Sequence, residues 1–321
     1  MIKDFIETLL AAAVARQTSD IYVLPGEAGY QIRLRQINAV TTWQRVTRSL
    51  GEQVITYFKF QANMAVSENR RPQVGAMSWP GEPPLELRFS TVGDYAGQES
   101  LVIRLIYPFH TARMAYLDER QPKLLDQLAG QRGLMLFAGP TGSGKTTTMY
   151  TIASRLAADA TVLTIEDPVE IKARSFIQLQ VNATAGMSYE TLLKVGLRHR
   201  PDVFIIGEIR DQDTAVAAVR AALSGHLVLS TVHAQNAGGS VPRLTELGIS
   251  LPQLRQVLTA SCYQRLIPRE KQSPAVLLDI LAGEQLWHAQ WTTTERWQRT
   301  LEEAQRQHLI SPETAQRFKA G

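Results

Sequence analysis

The chain has 321 residues, enough for about two domains. It is 44% hydrophobic and 20% charged, as ordinary globular proteins are, and its 34 basic and 30 acidic side chains leave a formal charge of +4, too small to imply nucleic acid and compatible with an anionic ligand or a membrane surface. The one cysteine, Cys262, excludes an internal disulfide framework and a cysteine-based zinc site.

No stretch approaches the ~20 apolar residues that span a bilayer. The short apolar run at 9–15 follows Asp4 and Glu7, unlike a signal-peptide core, so a cytoplasmic chain is expected. Ile2, Phe5, Ile6, Leu9 and Ala13 recur at helical spacing and predict an amphipathic first helix. Short β-like runs follow at 21–24, 30–34 and 39–40, then a helix near 51–62, then β-like runs at 85–90 and 100–106. The Pro- and Gly-rich stretch 79–84 reads as a turn or surface loop. These segments make residues 1–107 an α+β unit, and 108–118 reads as a linker.

From Gln121 the pattern changes. Apolar runs at 134–137, 162–165, 203–206 and 227–230 alternate with helical stretches at 145–156, 189–199 and 213–223. Such runs suit strands covered on both faces in a mostly parallel sheet. After Ser250 the strand signal fades into helices. Ser311-Pro312-Glu313 reads as the start of a last helix, with Ser as cap and Pro at the first position. In the polar tail stand Trp287, Trp291 and Trp297, and the spacing of the first two fits one helical face. Packing on the second unit is the expected use of these rings, and a partner contact is the alternative.

The strongest local signal is Gly139-Pro140-Thr141-Gly142-Ser143-Gly144-Lys145-Thr146, which fits G-x-x-x-x-G-K-[ST] between an apolar strand and a helix. Glycines let backbone N–H groups close around phosphate oxygens, and the helix start presents its positive end to the anion. Lys145 can reach the β- and γ-phosphates and Thr146 can ligate Mg²⁺; Thr147 completes the expected nucleotide-binding set. Phosphoryl transfer also needs a positioned water, a metal partner and cations. Residues 203–211 are an apolar strand ending in Glu208, which resembles a Walker B element, with Gly207 where many such elements carry a metal-binding aspartate. That role must move elsewhere, and Glu166, at the end of the 162–165 run, is the natural candidate, with Asp167 and Glu170 beside it. Ligands of open α/β sheets gather at the carboxyl ends of strands, so these acids are expected to converge with the loop. Solvated strand-end carboxylates are the alternative reading. His226 and His233 flank the last apolar run, where a γ-phosphate contact and an ordinary structural role are both open.

Segments 139–146, 164–170, 203–211 and 225–233, in this order, resemble the Walker A, Asp-box, Walker B and His-box signature of the secretion-superfamily ATPases of type II secretion, type IV pili and pseudopili. The N-terminal part is similar too. Ser19-Asp20-Ile21-Tyr22 resembles an S-D-I-H stretch, and Arg33 and Arg35 an R-x-R strand. Pro72-Gln73-Val74-Gly75 resembles a P-Q-D-G turn, with Val replacing Asp. Residues 86–90 and 101–105 resemble the two strands that carry arginine fingers, and Gln264-Arg265-Leu266 a C-terminal Q-R-L. The likeness covers about residues 5–285.

The resemblance implies an α/β architecture: a RecA-like P-loop ATPase domain over 119–321, a smaller α+β (PAS-like) N-terminal domain, and a helical C-terminal end. It implies that Glu208 polarises the attacking water and that Glu166, with Thr146, helps hold Mg²⁺. It puts His226 and His233 near the γ-phosphate, and Arg88 and Arg104 on the transferred charge. For Arg210, a salt bridge at the sheet edge and a ligand contact stay open. The implied cofactors are ATP and Mg²⁺, with no zinc. The implied assembly is a homo-hexamer, peripheral at the cytoplasmic face of the membrane, acting on a polytopic inner-membrane platform protein and through it on pilins, with no direct nucleic-acid contact. The long N-terminal region and four-cysteine zinc motif of the large secretion ATPases are missing, as is the A-I-R-N-L-I stretch of retraction motors. What remains is similar to the competence pseudopilus assembly branch. A retraction motor, a nucleic-acid translocase or binding module, and a ring that binds ATP without turning it over are the competing readings.

Overall fold

The computed structural model describes residues 2–36, 39–108, 114–270, 272–288 and 292–321. The chain divides into two compact units, Met1–Pro108 and Phe109–Gly321. Of the expected linker, residues 109–113 lie outside the described residues. Residues 115–117 are bonded into the second unit, where Leu117 N–H donates to Val276 O and Val276 N–H to Ala115 O.

The N-terminal unit runs α1 (Ile2–Ala15), β1 (Asp20–Gly26), β2 (Gly29–Arg35), β3 (Val40–Val46), α2 (Arg48–Gln61), β4 (Gln73–Trp79), β5 (Leu85–Gly93) and β6 (Glu99–Ile106). The six strands form one antiparallel sheet in the order β3-β2-β1-β6-β5-β4. Strand alternation decides its two faces. Ile21, Val23, Ile32, Leu34, Leu87, Phe89, Leu101 and Ile103 meet Ile6, Leu9 and Leu10 of α1 and Val54, Ile55 and Phe58 of α2. The intervening positions, among them Arg33, Arg35, Arg88 and Arg104, take the opposite face. The first helix buries the stripe its spacing predicts, and Phe5 meets the edge of Trp43. Strand β4 had no signal in the sequence; its alternation is partly buried Gln73, Gly75, Met77 and Trp79 against exposed Val74, Ala76 and Ser78, too weakly apolar to read.

The second unit runs α3 (Gln121–Ala129), β7 (Gly133–Ala138), α4 (Lys145–Leu156), β8 (Val162–Glu166), β9 (Ile177–Gln180), α5 (Tyr189–Arg198), β10 (Val203–Ile209), α6 (Gln212–Leu223), β11 (Leu227–Val232), α7 (Ser240–Glu246), α8 (Leu251–Val257), β12 (Leu258–Arg269), β13 (Gln272–Ala282), α9 (Glu295–Arg306) and α10 (Pro312–Arg317). The sheet order is β13-β12-β7-β11-β10-β8-β9, parallel except for the β12–β13 hairpin. Each face has its own core. Met135, Phe137 and Ile205 pack with Leu125 of α3 and Met149, Tyr150 and Ile152 of α4. Leu134, Leu136, Phe204 and Ile206 pack with α5 and α6 and with Trp297 and Leu301 of α9. This two-sided burial is why the parallel strands read as continuous apolar runs.

The expectation that strands end near Ser250 is corrected by β12 and β13. Strand β12 is hard to read because its buried positions include Ser261 and Gln264, both 0% exposed and both hydrogen-bonded internally. Strand β13 is rich in leucine, which is equally at home in a helix. The helical end follows in α9 and α10. Ser311 caps α10 by accepting from Thr314 N–H, with Pro312 at the first position. Trp297 is buried and donates to Phe318 O at 2.8 Å. Trp287 carries Arg255 over its ring, and Trp291 lies outside the described residues.

Candidate nucleotide site

The loop after β7 is built for close backbone approach. Gly139 has φ +134°, and a Cβ there would lie 2.3 Å from Gln264 O, so only glycine fits. Gly144 caps α4 in the left-handed region at φ +85°. Gln264 of β12 holds the loop from the other side. Its Nε2 donates to Ser143 O at 2.7 Å and its Oε1 accepts from Thr148 Oγ1 at 2.9 Å, tying loop and helix together. Lys145 Nζ donates to Gly139 O at 2.8 Å and Pro140 O at 3.0 Å. Burial lowers the Lys145 pKa, while Glu208 and Glu170 pull it back up, which places both carboxylates in the electrostatic reach of the loop lysine. Ser143 Oγ is buried and has no hydrogen-bond partner among the described residues, so the cradle holds an unspent donor of the kind an anion uses.

Three parallel strands bring the acids to the same sheet edge. Strand β10 is bulged at Gly207, between Ile206 and Glu208. Two β11 hydroxyls hold that bulge: Ser230 Oγ donates to Ile206 O at 2.6 Å and Thr231 Oγ1 to Gly207 O at 2.8 Å. Glu208 then faces His233, with Oε1 2.9 Å from Nε2. Glu166 ends β8 and is 3% exposed. A Cβ on Gly207 would sit 3.3 Å from Glu166 Cγ, so the Glu166 side chain fills space that a residue with a side chain at 207 would contest. Tyr150 of α4 donates to Glu166 Oε1 at 2.5 Å. Burial, and then the Glu166 charge, push the Tyr150 phenol pKa up, which keeps it a donor.

Thr146 in the first turn of α4 and Glu166 at the end of β8 are oxygen donors of the kind Mg²⁺ takes. The ion takes oxygen donors and is usually held by one or two carboxylates plus substrate phosphates. Among the described residues no group of three or more His, Cys, Asp or Glu could hold a metal ion. Beside the loop lies an open cleft of about 370 Å³, lined by Gly139, Pro140, His233, Ala234, Gln235, Tyr263 and Arg265.

One expected residue is placed elsewhere. His226 precedes β11, at the opposite end of the strand from His233. Six strand residues lie between the two histidines, and seven steps of ~3.3 Å put them roughly 23 Å apart. His226 Nδ1 lies 2.9 Å from Ala221 O, its ring edge meets Phe204, and the γ-phosphate role expected of it does not fit that position. Asp167 forms a salt bridge with Arg210, the structural alternative for that arginine. Asp211 caps α6 by accepting from Thr214. In the N-terminal unit Arg88 and Arg104 face each other in register across β5 and β6. Arg104 Nε lies 3.1 Å from Asp20 Oδ1 of β1. Sequence reasoning missed the roles of Tyr150, Gln178 and Gln264. The spacing of Tyr150, four residues after Thr146, was the one readable signal.

The model of the type II/IV secretion system protein family matches residues 1–310. Competence protein ComGA of Streptococcus pneumoniae is 43% identical over 268 residues, 83% of this chain and 85% of that protein. ComGA of Bacillus subtilis is 36% identical over 272 residues, 83% and 76%. Type II secretion system protein E of Klebsiella pneumoniae is 37% identical over 298 residues, 88% of this chain but 60% of the relative. Among solved structures, the Legionella pneumophila ATPase DotB superposes with a TM-score of 0.75 at 18% identity, covering 97% of this chain and 94% of that one. The pilus retraction motor PilT with bound ADP gives 0.67 at 23%, covering 97% and 95%. At those identities the structures speak for the fold.

Proposed function

Because the chain belongs to the type II/IV secretion system protein family, we propose that it is a Mg²⁺-dependent ATPase that converts ATP and water to ADP and phosphate and drives assembly of a type IV-like competence pseudopilus for DNA uptake. The observation that carries this reading is the meeting of the 139–147 loop, Glu166 and the Glu208–His233 pair at one edge of a parallel sheet. The relatives named competence protein ComGA, matched over most of their length, support the competence branch; the type II secretion protein E relative extends well beyond the match.

The backbone N–H groups of Gly142, Ser143 and Gly144 and the ammonium of Lys145 bind the phosphates. Glu208, oriented by His233, polarises the water that attacks the γ-phosphorus. Thr146 and Glu166 would hold Mg²⁺, which would supply charge neutralisation for the transferred phosphate. Arg88 and Arg104 of the N-terminal unit neutralise the transferred group, a contribution of about 10³–10⁵ in rate where such arginines act fully. Turnover drives a conformational change in each subunit. Six subunits in a ring pass that motion to a polytopic inner-membrane platform protein, which lifts pilins into the fibre.

The test is Mg·ATP turnover of the full chain across protein concentration, with Lys145→Ala and Glu208→Gln beside it. Activity that rises with concentration and vanishes in both variants supports a ring with this site. A Lys145→Ala rate equal to the parent's removes the site. Concentration-independent turnover removes the ring. In cells, deletion that leaves fibres present and excessive assigns retraction instead of assembly.

A further inference from the structure

Thr146 and Tyr150 lie four residues apart on α4, so they share one helix face a turn apart. From that face the buried Tyr150 hydroxyl reaches Glu166 on β8 and donates to Oε1 at 2.5 Å. The hydroxyl is itself held. Gln178 of β9 donates from Nε2 to Tyr150 OH at 2.9 Å and to Ile171 O at 2.7 Å, while its Oε1 accepts from Ala173 N–H at 2.8 Å. A backbone N–H can only donate, so the Gln178 amide has one workable orientation. The phenol oxygen must then accept from Gln178 and direct its single proton at Glu166. The chain of donors runs from Ala173 through Gln178 and Tyr150 to the carboxylate, and every link but the acid itself lies outside the four motif segments apart from the phosphate loop's own helix. On the other side Glu166 Cγ lies against Gly207, whose missing side chain leaves room for it.

We propose that Tyr150 is a positioning residue of the metal site: it ties the Glu166 carboxylate to the helix that carries Thr146, so that oxygen donors from two distant segments are presented as one unit. This rests on the reading of Thr146 and Glu166 as Mg²⁺ ligands. A carboxylate standing in for an absent aspartate reaches its place from a neighbouring strand, and only a held rotamer gives it fixed geometry. A hydrogen-bond partner that holds a metal-ligating group in place is worth about 10- to 100-fold in metal affinity or activity.

The experiment uses the full chain with Tyr150→Phe, which keeps the ring and removes the hydroxyl. Mn²⁺ is the probe, titrated by its EPR signal in the presence of a non-hydrolysable ATP analogue. Analogue affinity in EDTA and the thermal midpoint are measured alongside. The half-saturating Mn²⁺ concentration is expected to rise about 10-fold, while affinity in EDTA stays within about two-fold and the protein stays folded. Glu166→Gln should raise it at least as far, and adding Tyr150→Phe to Glu166→Gln should add nothing, because the two act through one carboxylate. Gln178→Met breaks the same donor chain one link earlier and serves if Tyr150→Phe does not fold; it too should weaken Mn²⁺. A parental Mn²⁺ constant in Tyr150→Phe beside a raised one in Glu166→Gln overturns the role of Tyr150 and leaves the metal-site reading standing. Parental constants in both overturn the metal-site reading, and the proposal with it.

Discussion

Replacing Gln264 with methionine keeps the volume and length of a fully buried side chain and deletes both of its hydrogen bonds. Ser143 O loses a donor at 2.7 Å and Thr148 Oγ1 loses an acceptor at 2.9 Å, both inside the unit. Each net hydrogen bond is worth about 1 kcal/mol, and a buried group left without its partner costs about 1–3 kcal/mol. The two losses together come to about 3 kcal/mol. At about 2–4 °C per kcal/mol for a unit of this size, the thermal midpoint should fall by roughly 6–12 °C. The more telling effect is on the nucleotide. Ser143 belongs to the phosphate loop, and Gln264 is its anchor to the strand beside β7. Loosening it should weaken nucleotide binding, so the rise in midpoint produced by a fixed excess of ADP should shrink, since that rise follows the ligand concentration relative to its dissociation constant. Differential scanning fluorimetry with and without ADP reads both. A variant with the parental midpoint and the parental ADP-induced shift would refute the anchoring role.

Two further outcomes follow from named contacts. Lys59 and Glu99 form a buried ion pair at 2.8 Å in the N-terminal unit, and Lys59 also donates to Glu68 O. Lys59→Met should cost about 3–5 kcal/mol in urea unfolding, while Lys59→Met with Glu99→Leu should recover much of it, because the cost is that of a stranded charge. Equal losses in the single and double variants would contradict this. The depressed Lys145 pKa makes nucleotide affinity fall at alkaline pH, below the ordinary lysine range, as the ammonium loses its proton. Burial sets that direction and the Glu208 carboxylate opposes it, so Glu208→Gln should move the alkaline limb of binding to still lower pH. A limb that stays in place or moves up, measured by titrating a fluorescent ADP analogue, would show that Glu208 does not act on the lysine.

Much of the site is legible because its chemistry is local. The phosphate loop is a short run of backbone, and glycines at 139, 142 and 144 are needed wherever φ turns positive. Glu166 and Glu208 are readable as acids ending apolar strands, since strands covered on both faces appear as unbroken apolar runs. His226 was misplaced for a geometric reason: a parallel strand puts its first residue at the far edge from the loop, and proximity in sequence to His233 says nothing about which edge. The hairpin of β12 and β13 escaped notice because Ser261 and Gln264 are polar where periodicity demands apolar, and only their partners on other elements make that burial tolerable.

By itself the sequence determines the parts whose conformation is set within a few residues: the cradle for phosphate, the cap at Ser311, the apolar strands and the helix stripe of α1. Only the tertiary structure decides which distant groups those parts meet. Gln264 reaches Ser143 across 121 residues, Glu166 occupies the space beside Gly207, and Tyr150 on α4 donates its hydrogen bond to Glu166 on β8. The reason is physical. Backbone preferences are short-range energies that a window of sequence contains. The burial of a polar side chain depends on an acceptor or donor supplied by whichever strand the sheet order places next to it.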